Sequence, residues 1–207
     1  MVDAAATRRA DRLQLMAMGE RGNSIDPDLA AWIGRQRLFF VATAPSGGGH
    51  VNLSPKGLDT FAILDQRSVA YLDLTGSGVE TIAHIRDNGR ITVMFCAFEG
   101  PPKIVRLHGR GEVIESADPG FPELLSRFTP RPGARSVIRI TLERVSDSCG
   151  YGVPTMEYLG ERTQMAAWAE HKGEDGLRAY RAHKNARSID GLPGLRHLDR
   201  VDEEAPA

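Results

Sequence analysis

The sequence predicts an α+β protein whose centre is a six-stranded antiparallel β-barrel, with inserted and C-terminal helices. Three observations predict this class. Short apolar or alternating segments in the middle of the chain are separated by tight turns, as in hairpin-linked sheets. Few helical segments lie between them, which disfavours an alternating βαβ fold. From about residue 161 onward the apolar periodicity becomes helical.

The length and the charge of the chain limit the classes of protein to which it can belong. At 207 residues it fits one domain that can bury a substantial core. A formal net charge of −1 and a pI near 6.6 give no electrostatic footprint for nucleic acid or an anionic membrane. Cys96 and Cys149 have neither metal-ligand spacing nor the density of a secreted disulfide scaffold. Without a signal-like or transmembrane-length apolar run, we expect a cytoplasmic protein.

The chain is expected to form a single domain in three parts. Residues 1–36 form a helical N-terminal arm, residues 37–145 the barrel, and residues 146–207 a C-terminal loop and helices. Near the end of the arm, Asp26 is placed to cap a short helix and Pro27 to occupy its first position.

Turns and alternation predict the strands of the barrel. A glycine-rich turn at 45–50 predicts a first hairpin, and a turn at 65–67 predicts a second. The segment 90–98 lacks an alternating polar face, so we expect it to be buried on both sides. The segments 103–115 and 135–145 do alternate, and a short surface helix is expected between them. Two amphipathic helices broken at Gly173 should follow.

The segment 71–90 is typical of a strand, a glycine-rich turn and a short helix that ends at Asn88-Gly89. Backbone N–H groups between a strand and a helix can receive a phosphate. Gly76 and Gly78 are therefore candidates for a nucleotide site.

Known phosphate motifs fit this turn poorly. A P-loop requires a Lys-Ser/Thr pair after its last glycine, and none follows Gly78. A dinucleotide fingerprint is closer, because Glu99 lies at a suitable distance for a ribose, but the third glycine is missing. A hypothesis without a ligand is a capping box formed by Ser77 and Glu80. If a phosphate binds, a cation must offset Glu80, and Lys56 is the candidate.

The order of these segments resembles the pyridoxamine 5′-phosphate oxidase-like FMN-binding split barrels. The resemblance rests on a strand ending in Ala-Thr, a glycine turn, a strand with Ser54-Pro55-Lys56, the Gly-Ser turn, and a helix ending in Asn-Gly-Arg. It implies a six-stranded antiparallel split β-barrel, a homodimer, and FMN in a cleft to which Arg106 of either protomer contributes. By position, the cofactor-binding residues would be Ser54, Pro55, Lys56, Tyr71, Leu72, Asp73, Ser77, Gly78, Thr81 and Arg106.

The sequence also departs from the family pattern. The true pyridoxamine phosphate oxidases carry an adjacent basic pair at the start of the helix, where this chain has Glu80-Thr81, and this exchange disfavours the vitamin B6 reaction. The tail resembles a bacterial subgroup of unknown substrate.

The resemblance thus implies an FMN-dependent oxidoreductase acting on an unknown small molecule, with no assigned catalytic residue. A flavin- or haem-binding module without turnover and an F420-dependent reductase on the same fold remain open. Because His50, His84 and His108 lack ligand spacing, no metal site is expected.

Overall fold

A computed structural model describes residue 19 and residues 22–198, so most of the predicted N-terminal arm lies outside the described residues. The described helices are α1 (Pro27–Ile33), α2 (Glu80–Asn88), α3 (Phe121–Leu125) and α4 (Gln164–Lys184). The strands are β1 (Phe39–Thr43), β2 (Asn52–Lys56), β3 (Phe61–Asp65), β4 (Ser68–Leu74), β5 (Arg90–Cys96), β6 (Ile104–Glu115) and β7 (Ala134–Ser148).

The strands form one antiparallel sheet in the order β2-β1-β5-β6-β7-β4-β3. This sheet has seven strands, so the predicted count of six is wrong. Each of the two predicted hairpins contributes two paired strands, and β5, β6 and β7 add three more. The sheet is open rather than a closed barrel, since β2 and β3 form its edges. Antiparallel pairing throughout also rules out the dinucleotide-binding alternative, which requires parallel strands.

The open sheet curls around a single main core. Phe39 on β1 and Phe61 on β3 come from opposite ends of the strand order, yet their ring centroids are 5.3 Å apart. Curling is aided by a bulge between β6 and β7, where His108 pairs with Arg144 and Gly109 with Leu142, so that one residue of β7 is left over. Gly109 is required there because a Cβ atom would lie 2.2 Å from the Thr141 carbonyl oxygen.

Burial along β5 differs from the prediction. Ile91, Val93 and Phe95 face the core, whereas Thr92 and Met94 are only half-buried. Successive side chains of a strand point to opposite faces, and only one face of β5 packs into the main core. The expectation that this segment is buried on both sides is therefore wrong for the single chain.

The predicted start of α1, the predicted end of α2 and the predicted break in α4 are confirmed. The Asp26 carboxylate caps α1 by accepting a hydrogen bond from the Leu29 N–H at 2.7 Å. Gly89 ends α2 in the left-handed region with φ of 72°. α4 is interrupted at Gly173, where φ is 64°, so it consists of two helical halves as expected. Within residues 22–198, no helix is long and apolar enough to cross a membrane.

Candidate functional site

The edge strand β2 presents two different faces. Asn52, Ser54 and Lys56 are half-buried on its inner face, whereas Leu53 and Pro55 are exposed on the other. Strand alternation therefore brings the predicted site residues Ser54 and Lys56 together and turns Pro55 away from them.

Lys56 is joined to strand β4. Its Nζ atom lies 3.3 Å from Oδ1 of Asp73 and 5.2 Å from the centroid of the Tyr71 ring. Asp73 is 3% exposed and Tyr71 is fully buried. Three of the predicted site residues therefore form one cluster, in which a buried carboxylate carries the only negative charge.

Arg135, which lies at the start of β7, completes this cluster. Its Nε atom donates to Oδ2 of Asp73 at 2.6 Å, and the Ser136 hydroxyl lies 3.3 Å from the same oxygen. Burial alone would raise the pKa of Asp73, but the charges of Arg135 and Lys56 outweigh it and hold the pKa below its ordinary value. Burial, followed by the charge of Asp73, raises the pKa of Tyr71 well above its ordinary value.

Arg135 also holds the glycine turn, Gly76–Gly78, together with the buried side chain of Asn185. The Arg135 guanidinium donates to the Gly78 carbonyl at 2.8 Å and to Oδ1 of Asn185 at 2.8 Å. The Asn185 amide in turn donates to the carbonyls of Gly76 at 2.9 Å and Ser77 at 3.4 Å. Three successive carbonyl groups of the turn therefore point towards the same pair of side chains.

This arrangement fixes the direction of the N–H groups in the turn. All described peptide bonds are trans, and in a trans peptide the N–H points opposite to the preceding carbonyl. The N–H groups of Ser77, Gly78 and Val79 therefore point away from Arg135 and Asn185, just before α2 begins. Ser77 and Gly78 are exposed. Exposed backbone N–H groups just before a helix are suited to receive an anion.

The capping-box hypothesis is wrong. α2 begins at Glu80, and its N-cap is Val79, which makes no side-chain cap. Ser77 lies two residues before that cap, too early for its hydroxyl to serve the first turn of the helix. The Glu80 carboxylate instead accepts a hydrogen bond from the Ile189 N–H at 3.2 Å.

A second set of hydrogen bonds joins β2 to the first turn of α2. The Asn52 side-chain amide donates to the Thr81 hydroxyl at 2.9 Å, and the Ser54 hydroxyl donates to the Asn52 oxygen at 3.0 Å. The Thr43 hydroxyl, 3.3 Å from the same amide, lies 3.0 Å from Nδ1 of the buried His84. Asn52 thus positions Ser54 and Thr81, two of the predicted site residues, relative to each other.

Two further predicted residues lie apart from these networks within one chain. Leu72 points to the opposite face of β4, where it packs with Ile114 and Phe121. Arg106 lies on β6, three strands from β2 in the sheet, and donates to the Ser148 hydroxyl at 3.1 Å. Their roles, like that of Pro55, stay predictions.

Sequence reasoning missed Arg135 and Asn185. A buried aspartate needs a cationic partner. If the burial of Asp73 had been evident from the sequence, this rule would have indicated an arginine on a neighbouring strand. No local pattern marks Asn185, which lies 109 residues after Gly76 and reaches the turn only through the tertiary fold. Among the described residues, no group of three or more His, Cys, Asp or Glu side chains is arranged to hold a metal ion.

A family model matches more than half of the chain. Residues 25–149 match the family model described as pyridoxamine 5′-phosphate oxidase. A pyridoxamine 5′-phosphate oxidase family protein of Aspergillus flavus, ustO, is 43% identical over 189 residues, covering 83% of this chain and 76% of that protein. The chain belongs to the pyridoxamine 5′-phosphate oxidase family.

Solved structures give weaker matches. A candidate pyridoxamine 5′-phosphate oxidase from Lactobacillus delbrueckii is 21% identical, with a TM-score of 0.49, and covers 62% of this chain and 98% of its own. HupZ from Group A Streptococcus is 23% identical, with a TM-score of 0.48, and covers 60% of this chain and 94% of its own. Because both scores are below 0.5, no conclusion about this chain rests on these two structures.

Proposed function

We propose that this protein is an FMN-dependent oxidoreductase that acts on a small molecule. The observation that carries the proposal is the glycine turn, whose carbonyls are tied inward by Arg135 and Asn185 so that its N–H groups are free to receive a phosphate. The family match supports a flavin as the bearer of that phosphate.

The charges around the turn fit a phosphate despite Glu80. Asp73 is opposed by both Lys56 and Arg135. Arg181 on α4 adds a third cation, since its Nε atom donates to the Thr75 hydroxyl at 2.8 Å, one residue before the turn. Lys56, Arg135 and Arg181 therefore all act on Asp73, so the charge of this carboxylate is more than compensated. These cations take the place of the basic pair that the chain lacks at the start of α2.

The chain's own residues would bind and orient the cofactor. The N–H groups of the glycine turn and the Thr81 hydroxyl would hold its phosphate, while Ser54 and Lys56 would line the adjoining part of the cleft. A bound flavin supplies the hydride chemistry, so no separate acid–base pair is needed. The protein then contributes binding, orientation and electrostatics.

We further propose that the protein acts as a homodimer. β2 is an edge strand, and its outer face exposes Val51 by 74% and Leu53 by 63% beside Pro55. Large exposed apolar side chains on a sheet edge are typical of an interface. A second protomer packed against this face would cover them.

The experiment is a comparison of FMN with riboflavin, which lacks the phosphate. Purified protein is titrated with each ligand while flavin fluorescence and absorption are recorded. Lys56→Ala should weaken FMN binding about ten- to a hundred-fold, because a charge-assisted contact contributes on the order of 1.5–3 kcal/mol. Riboflavin binding should change far less. Lys172→Ala is the control, since Lys172 also lies over an aromatic ring, 5.8 Å from the Trp168 centroid.

Two outcomes would contradict the proposal. If the wild-type protein quenches the fluorescence of neither FMN nor riboflavin, the protein does not bind flavin. The absorption bands of haem or of a deazaflavin would then identify the alternative cofactor. If Lys56→Ala weakens both ligands equally, Lys56 acts on the ring or on the fold rather than on the phosphate.

A further inference from the structure

A cavity of about 200 Å³ lies next to the candidate cofactor site. It opens between the α1–β1 connection and the turn 57–60, which follows directly on Lys56 at the end of β2. Among the described residues no side chain fills it.

The floor of the cavity is apolar and rigid. It is formed mainly by Phe39, Phe61 and Phe95, whose ring centroids are 5.0 to 5.8 Å apart. Phe39 is 4% exposed and Phe95 is 1% exposed, so the floor belongs to the packed core. Such a concave apolar surface is suited to a compact ring or branched aliphatic group.

The rim of the cavity carries an excess of negative charge. Asp59 and Glu161 provide two carboxylates and Arg37 one guanidinium. Arg37 and Glu161 both contact Tyr158: the Arg37 guanidinium lies 5.2 Å from the ring centroid, and desolvation followed by a hydrogen bond to Glu161 raises the pKa of Tyr158. Asp59 is therefore the carboxylate at the rim that has no opposite charge beside it among the lining residues. A ligand bearing a phosphate or carboxylate would meet net repulsion at this rim, whereas an uncharged or amino-bearing ligand would not.

Backbone strain places Asp59 at the rim. Leu58 and Asp59 are consecutive non-glycine residues with φ of 60° and 53°, in the left-handed region. A non-glycine residue persists in this region only where the surroundings impose it, as is common at ligand sites. The turn is held on both sides, since the Thr60 hydroxyl donates to the Gly57 carbonyl at 2.7 Å and the Leu72 N–H donates to the Thr60 carbonyl at 2.8 Å.

The cavity is connected to the candidate cofactor site by ring contacts. The ring centroids of Phe39 and Tyr71 are 5.8 Å apart, and Lys56 lies over the Tyr71 ring.

We propose that the cavity binds the apolar part of a small, unphosphorylated, neutral or amino-bearing molecule, and that this molecule is the substrate. The binding specificity follows from the floor and rim alone, whereas the assignment as substrate rests on the proposed flavin function.

The test uses three probes that share one ring and differ in charge: benzylamine, benzyl alcohol and benzoate. Their affinities for the full chain without flavin are measured by ligand-observed NMR. We expect benzylamine and benzyl alcohol to bind and benzoate to bind at least about fivefold more weakly. Asp59→Asn should lower only the benzylamine affinity, about two- to fivefold, as for an exposed ion pair. Asparagine tolerates the left-handed backbone, so this variant should keep the turn.

A second variant tests the location. Ile63→Phe adds bulk at the lining of the cavity and should abolish binding of all three probes, whereas Ile189→Phe, at a remote position that is 70% exposed, should leave it unchanged. Equal binding of benzoate and benzylamine, or binding that survives Ile63→Phe, would overturn the proposal. Failure of every probe to bind would overturn it too.

An FMN titration of the same samples separates this proposal from the cofactor proposal. Flavin binding without probe binding refutes the cavity assignment alone. Probe binding without flavin binding keeps the ligand specificity of the cavity and refutes the flavin function together with the assignment as substrate.

Discussion

Asp73→Asn is expected to be the most destabilising single charge change in the candidate site. Asp73 is buried and ion-paired with both Lys56 and Arg135, so the substitution leaves two cations without a counter-charge. Removing one partner of a buried ion pair costs about 3–5 kcal/mol. Since asparagine retains one acceptor oxygen, we expect about 3 kcal/mol, which corresponds to a lower Tm by about 6–12 °C for a chain of this size.

The pH dependence of the free energy of unfolding gives a second, independent test of the Asp73 ion pairs. The pKa of Asp73 is lowered in the folded protein, so its contribution to stability is fully present above the ordinary pKa of about 4 and is lost as the pH falls through the lower folded value. The difference in unfolding free energy between wild type and Asp73→Asn should therefore be largest near pH 7 and should shrink below about pH 4.

Urea unfolding followed by circular dichroism, at fixed protein concentration and several pH values, measures both effects. Glu112→Gln is the matched control, because Glu112 pairs with Arg139 on the exposed face of the sheet. An exposed pair contributes about 0–1 kcal/mol. The reasoning is refuted if Asp73→Asn costs no more than Glu112→Gln, or if its cost does not change with pH.

Two further predictions concern packing and assembly. Gly194→Ala should destabilise the protein by about 1–3 kcal/mol in urea unfolding, because the new Cβ atom would lie 2.1 Å from the Asn185 carbonyl oxygen. Gly152→Ala is the control and should be nearly neutral, because its new Cβ atom would have no atom within 4 Å. Leu53→Asp should shift the protein towards monomer in sedimentation experiments. Leu159→Asp, at a residue that is 89% exposed and lies outside β2, should not, and equal effects would place the interface elsewhere.

Local signals in the sequence were sufficient to predict most of the secondary structure. The Asp26 cap, the C-terminal Gly89 and the break at Gly173 each depend on one or two neighbouring residues, and all three are present in the structure. The strand count and the openness of the sheet were not accessible in this way, because pairing between distant strands is set by the whole core. The one-sided burial of β5 was missed for the same reason.

The candidate site was likewise only partly predictable from the sequence. The cluster of Lys56, Tyr71 and Asp73 follows from family position and strand alternation, so the sequence could place it. The partners that hold the glycine turn could not be found, because Arg135 and Asn185 approach it from 57 to 109 residues away. The predicted capping box failed because Ser77 and Glu80 satisfy a local pattern that the tertiary contacts of the turn override.

The separation of 109 residues between Gly76 and Asn185 has a consequence for biosynthesis. The glycine turn leaves the ribosome long before Asn185 does, and until then the carbonyls of Gly76 and Ser77 lack the partner that orients them. Domains are made from the N-terminus onward, so the sheet can begin to fold while the turn is still unformed. The geometry of the turn that we propose as a phosphate site should therefore be acquired only after residue 185 has been made, and a nascent chain released before then would hold a sheet without an ordered turn.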